Sequence, residues 1–213
     1  MLDDVARVTG AFLFDLDGVL VDSQTAADRT WTWWASQRGL DPAPFIATHG
    51  RPSREAIAEL APDLDADAEA AVVEERETSD TRGVVALPGA AAILHANRPV
   101  AVVTSGGERL ARARLQAAGL EAPAVLVSAD SVKRGKPDPE PYLLAASRLG
   151  IPHERCTVFE DAPAGVRAGK AAGMRVVALT TTVSAAELAG ADLVVANLAQ
   201  YLLDEQRREA ARA

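Results

Sequence analysis

The stretch Ala11-Phe12-Leu13-Phe14-Asp15-Leu16-Asp17-Gly18 decides how this chain is read. Its four apolar residues are β-prone and unbroken by polar ones, the signature of a short strand buried on both faces. They run straight into two acids and a glycine, so carboxylates stand at the carboxyl end of a core strand. From 25 to 82 the texture turns helical. Trp31, Trp34 and Arg38 fall at i, i+3, i+7, and 55–60 and 66–77 are rich in helix formers. Asp41-Pro42 and Ala61-Pro62-Asp63 punctuate this part. A small bundle of about four helices is expected over 23–84.

After Leu87-Pro88-Gly89 strands and helices alternate. Strands are expected at 100–104, 124–128, 157–160, 175–179 and 193–196, with helices at 108–118, 140–149 and 163–172. Gly119, Gly150 and Gly173 follow those helices, where a C-terminus favours a residue that tolerates positive φ. This alternation implies an α/β fold, a doubly wound parallel sheet with helices on both faces. The expected organisation is a core split in sequence, 1–22 and 85–213, with a helical cap, 23–84, inserted after the first strand. The segment 204–213 is charged and reads as a fraying terminal helix.

Composition excludes several classes. The 213 residues are 48% hydrophobic and 24% charged, as in soluble globular proteins. Formal net charge is −8, which argues against nucleic acid as partner. No apolar run approaches the ~18 residues of a membrane span, so no membrane partner is expected. Cys156 is the single cysteine, and no charged-then-apolar leader opens the chain. A cytoplasmic protein is the resulting expectation, monomeric in the simplest case. The acidity is uneven. Residues 23–84 hold 12 acids against 6 bases, and the remainder 18 against 16, which sets the insert apart.

In a doubly wound sheet, ligands sit at the carboxyl ends of the strands. Those ends here carry Asp15 and Asp17, then Thr104-Ser105-Gly106-Gly107, then Glu160-Asp161. Lys136 lies in the loop Arg134-Gly135-Lys136-Pro137-Asp138-Pro139. Four carboxylates converging on one point repel one another and need a cation. Oxygen-only ligands point to Mg²⁺, which commonly takes one or two carboxylates, waters and a substrate phosphate. The hydroxyls and free N–H groups of 104–107, opening a helix, form an anion site. With the compact charge of Lys136, the set describes phosphoryl chemistry on a small phosphorylated metabolite.

These motifs resemble the haloacid dehalogenase superfamily of phosphohydrolases with a helical cap. Asp15-x-Asp17-Gly-x-x-x-Asp22-Ser23 is followed in order by Thr104-Ser105, Lys136-Pro137 and Glu160-Asp161-Ala162-Pro163-Ala164-Gly165. The resemblance covers nearly the whole chain. His49-Gly50-Arg51-Pro52, 103–106 and 132–137 further resemble the small sugar-phosphate and glycerol-3-phosphate phosphatases. By this resemblance Asp15 is the nucleophile that becomes a phosphoaspartate, and Asp17 the general acid and then base. Mg²⁺ is implied on Asp15, the backbone carbonyl of Asp17 and Asp161, with Glu160 nearby. Ser105 or Thr104, the Gly106 N–H and Lys136 are implied to hold the transferring oxygens.

Blander readings weigh against several single residues. Asp22 reads mainly as a cap or hinge residue, and Gly165 as a close-packing glycine. Trp31, Trp33 and Trp34 at helical spacing read as core before sugar platform. His49 and Arg51 face the site if the insert does, and Arg suits an anionic group. A phosphosugar mutase on the same scaffold is the close alternative, but such mutases typically carry a histidine shortly after the first motif, and 24–29 has none. Phosphonate-cleaving relatives need a cap lysine, and 23–84 contains none. A phospho-accepting signalling module is the alternative from another class. Its acceptor lies mid-domain on a shorter chain, unlike Asp15.

Overall fold

The computed structural model describes residues 10–48 and 51–211. The described residues begin with β1 (Ala11–Phe14) and β2 (Val21–Asp22), then the helices α1 (Gln24–Ser36), α2 (Ala43–Ile46), α3 (Ser53–Leu60) and α4 (Ala66–Ser79). It returns through β3 (Val85–Ala86) and α5 (Ala90–Leu94) to β4 (Val100–Val103), α6 (Glu108–Ala117) and β5 (Val125–Val127). There follow α7 (Glu140–Leu149), β6 (Cys156–Glu160), α8 (Pro163–Ala171), β7 (Arg175–Leu179), β8 (Leu193–Val195) and α9 (Leu198–Ala210). Among the described residues no helix is long and apolar enough to cross a membrane.

Among the described residues six strands form one parallel sheet in the order β5-β4-β1-β6-β7-β8. The expected α/β architecture is therefore the observed one. Because strand side chains alternate, β1 feeds two cores. Phe12 and Phe14 belong to the layer with Ile93, Leu115 and Tyr201, while Ala11 and Leu13 belong to the layer with Tyr142, Val166 and Leu188. On the first face Phe14 stacks on Phe159, with ring centroids 4.8 Å apart, and Phe12 meets the same ring edge-on at 5.0 Å. Every residue of β1 is buried, which accounts for its unbroken apolar sequence.

The helices lie where the sequence places them, within a residue or two. Gly119, Gly150 and Gly173 all take positive φ. Gly150 ends α7 in the left-handed region at φ 67°, and its N–H bonds back to Ser147. Helix α1 begins after Asp22, which accepts from the Gln24 N–H at 3.1 Å. Asp65 caps α4 by accepting from the N–H groups of Asp67 and Ala68.

Helices α1–α4 gather around their own apolar cluster of Trp31, Trp34, Phe45, Ile57 and Val73. Trp31 stacks on Phe45 at 5.5 Å and Trp34 meets Phe45 edge-on at 4.9 Å. Two of the three tryptophans are thus core, as their spacing implies. Trp33 is half-buried, with the Arg76 guanidinium 5.0 Å from its ring. An antiparallel pair unseen in the sequence, β2 with β3, joins the two crossings between this insert and the sheet.

Candidate active site

Strand order assembles the site. β1 lies between β4 and β6, so the residues following these three strands emerge side by side at one sheet edge. Asp15 follows β1, Thr104 follows β4, and Glu160 ends β6 with Asp161 next. Oxygens of Asp15, Glu160 and Asp161 all lie within 4.8 Å of one another, and all three residues are buried. Burial, and then the charges of neighbouring acids, push the Asp15 carboxyl above the usual carboxylate range, although Lys136 opposes the shift. Asp161 is raised by the same causes, burial first and then Asp15 and Glu160. Three buried acids against one lysine leave an excess of negative charge, and a divalent cation fits this donor set.

Lys136 Nζ lies 2.5 Å from Asp15 Oδ1 and 2.7 Å from Glu160 Oε1, and donates to the Val103 carbonyl at 3.0 Å. Burial alone would lower its pKa, but Asp15 and Glu160 outweigh burial and raise it. Lys136 is therefore a fixed cation, already oriented on Asp15. Glu160 is held on several sides. It accepts from the Tyr142 hydroxyl at 2.6 Å and from the Asp161 N–H at 3.2 Å. Gly165 of α8 packs directly against it, and a Cβ there would sit 1.7 Å from Glu160 Oε1. The glycine read from sequence as a packing residue thus makes room for the Glu160 carboxylate. Thr182 donates to Asp161 Oδ2 at 2.6 Å. Gly18, at φ 80°, approaches the same carboxylate so closely that a Cβ would meet Oδ2 at 2.0 Å.

Thr104, Ser105, Lys136 and Gly135 line a cavity of about 220 Å³. Gly106 N–H donates to Thr104 Oγ1 at 3.1 Å, so this turn lies beside the cavity. Pro52, Arg54 and Glu55, from the helical segment between β2 and β3, line the same cavity. Arg51, next to Pro52, is not among the lining residues; it is exposed and pairs with Glu59 of α3 at 2.7 Å. His49 falls outside the described residues.

Asp17 does not join the buried acids around Lys136. Ser23 donates to its Oδ1 at 2.6 Å, and Arg114 Nη1 donates to its Oδ2 at 2.7 Å. Arg114, Tyr142 and Thr182 lie outside the sequence motifs. The first two interrupt apolar helix faces, Leu110-Ala111-Arg114-Leu115 and Pro141-Tyr142-Ala145-Ala146. A polar residue on a buried face is the signal that could have found them. Thr182 lies in an irregular loop after β7, which carries no such periodicity.

The sequence matches a known family. The model of the haloacid dehalogenase-like hydrolases matches residues 9–173. The chain is a haloacid dehalogenase-like hydrolase. This hydrolase is 46% identical to hexitol phosphatase A of Escherichia coli K12 over 92% of its own length and 94% of the relative's. It is 34% identical to glycerol-1-phosphate phosphohydrolase 1 of Saccharomyces cerevisiae, over 93% and 86%. Its fold superposes on the crystal structure of a hydrolase from Pseudomonas syringae with TM-score 0.79 at 28% identity, covering 92% of this chain and 98% of that one. These two relatives are named for phosphate-ester hydrolysis, and this haloacid dehalogenase-like hydrolase is a phosphatase.

Proposed function

We propose that this enzyme hydrolyses small phosphorylated sugars or polyols through a phosphoaspartate on Asp15. The observation that carries the reading is the cavity, lined by Lys136, Thr104 and Ser105 together with Arg54 and Glu55 of the insert. Its volume, about 220 Å³, is small against ordinary ligand pockets and suits a single metabolite. The names of the sequence relatives agree with a sugar or polyol phosphate.

In this reading Asp15 attacks phosphorus and the alkoxide leaves. Lys136, already on Asp15, and the 104–106 turn hold the phosphoryl oxygens in place and offset their charge. Asp17 gives its proton to the leaving oxygen, then takes one from the water that cleaves the phosphoaspartate. Residues 23–84 act as a cap over the site, excluding water during phosphoryl transfer. Asp15, Glu160, Asp161 and the Asp17 carbonyl would hold Mg²⁺, which when bound supplies charge neutralisation to the phosphoryl group. Tyr142 and Gly165 keep Glu160 in position for that set.

The test is phosphate release from a panel of phosphorylated metabolites by the purified protein with Mg²⁺. Turnover is expected on hexitol, hexose or glycerol phosphates. EDTA should abolish it and Mg²⁺ restore it, and Asp15→Asn should leave essentially nothing. Full turnover in chelator, or near wild-type kcat in Asp15→Asn, refutes the reading.

A further inference from the structure

Arg114 is a charged residue on the buried face of α6, only 7% exposed. Its guanidinium reaches in two directions. Nη1 donates to Asp17 Oδ2 at 2.7 Å, and Nη2 donates to Glu77 Oε1 of α4 at 3.0 Å. Asp17 belongs to the loop after β1, and Glu77 to the helical insert. One cation thus spans the two parts of the molecule. Burial by itself would lower the Arg114 pKa, but Asp17 and Glu77 outweigh it. The guanidinium stays charged, and a desolvated charge of this kind is held firmly to its partners. The remaining Asp17 oxygen accepts from Ser23, where the insert begins. Both carboxylate oxygens are therefore directed by residues that do not touch the Lys136 cluster.

We infer that Arg114 is a positioning residue for Asp17, and that its second ion pair, with Glu77, ties the placement of Asp17 to the position of the helical insert. The inference rests on the reading of Asp17 as general acid. A planar guanidinium presents its N–H groups in a fixed fork, so two carboxylates on one guanidinium are held at a set angle to each other. Displacing α4 from α6 withdraws Glu77 and changes how the fork meets Asp17. Lysine, with a single ammonium, cannot keep both contacts in that geometry. The insert then does more than cover the cavity: its seating on α6 sets where the proton donor points.

The test separates proton donation from phosphorus attack by leaving group. A hexitol phosphate releases a poor alkoxide that needs the proton, whereas p-nitrophenyl phosphate releases a stable phenolate that does not. Misplacement of a catalytic group costs up to about 10²-fold. Arg114→Met should therefore lower kcat/KM for the hexitol phosphate by roughly 10- to 100-fold and for p-nitrophenyl phosphate by under about 3-fold. In an Asp17→Asn background the same substitution should cost little more. Glu77→Gln should give a smaller loss with the same leaving-group preference, absent when Arg114 is already methionine. If Arg114→Met does not accumulate as folded protein, Arg114→Lys and Glu77→Gln supply the comparison. Equal losses on both esters, or full additivity with Asp17→Asn, overturn the positioning role. A Glu77→Gln enzyme without leaving-group preference overturns the link to the insert. If Asp17→Asn alone leaves hexitol phosphate turnover intact, the acid–base reading itself fails, whatever Arg114 does.

Discussion

Replacing Gly165 with alanine sets two effects against each other. In an ordinary helix the change favours the folded state by ~1 kcal/mol, because glycine loses more backbone freedom. Here the new Cβ would lie 1.7 Å from Glu160 Oε1, 1.9 Å from its Cδ and 2.3 Å from Oε2. Glu160 has to move, and it is not a loose side chain. It is 1% exposed and bound to Lys136 at 2.7 Å, Tyr142 at 2.6 Å and the Asp161 N–H at 3.2 Å. Breaking two charge-assisted contacts costs roughly 1.5–3 kcal/mol each. After the helix gain is subtracted, Gly165→Ala should destabilise by about 2–5 kcal/mol. For a chain of this length the melting temperature should fall by roughly 5–15 °C. Turnover should drop by about 10²-fold if, as proposed, Asp15 attacks phosphorus with Glu160 and Lys136 holding it in place. Calorimetry and phosphate-release kinetics measure both. A control follows from the same argument: in a Glu160→Ala background the added methyl should stabilise by ~1 kcal/mol. A Gly165→Ala protein with a raised melting temperature and undiminished turnover would refute the idea that this glycine exists to seat Glu160.

Two further expectations concern the insert. Arg54 and Arg51 are both ion-paired within the insert, to Asp67 and Glu59, but of the two it is Arg54 that lines the cavity, so Arg54→Ala should lower kcat/KM for a sugar phosphate by roughly 10- to 100-fold, and by more than Arg51→Ala. A larger loss at Arg51 in parallel steady-state kinetics would show that the cavity wall seen here is not the one that meets substrate. Asp80 is ringed by Arg82 at 2.7 Å, Arg29 at 3.0 Å and Arg76 at 3.5 Å, and its hydrogen bonds from Arg82 and Arg29 hold it below the ordinary value of 3.8. A depressed carboxylate contributes stability that is present above pH 3.8 and is lost as pH falls toward its folded value. Asp80→Asn should therefore flatten the loss of stability below about pH 4 in urea melts, and an unchanged slope there would remove Asp80 from the account.

The parts of this protein legible in sequence are those governed by local chemistry. An unbroken apolar run followed by two acids announces a buried strand with a site at its end. Alternating strands and helices ended by Gly119, Gly150 and Gly173 announce a parallel sheet, because helix termination and strand burial are decided within a few residues. Asp15, Lys136, Glu160 and Asp161 were likewise legible, since carboxylates and a lysine at successive strand ends have one economical explanation. Strand order was not legible: that β1 lies between β4 and β6 depends on which strands pack, and only this order brings Asp15 beside Glu160 and Lys136. The two-residue ladder of β2 and β3 is too short to leave a pattern. The choice between Arg51 and Arg54, three residues apart, turns on which side of the insert meets the cavity. The pairing of Arg114 with both Asp17 and Glu77 spans 97 residues on one side and 37 on the other, and no local rule reaches across such distances. Local sequence determined which residues could act. Tertiary packing decided which of them meet, because contact between distant segments follows from the burial of whole faces rather than from neighbours in the chain.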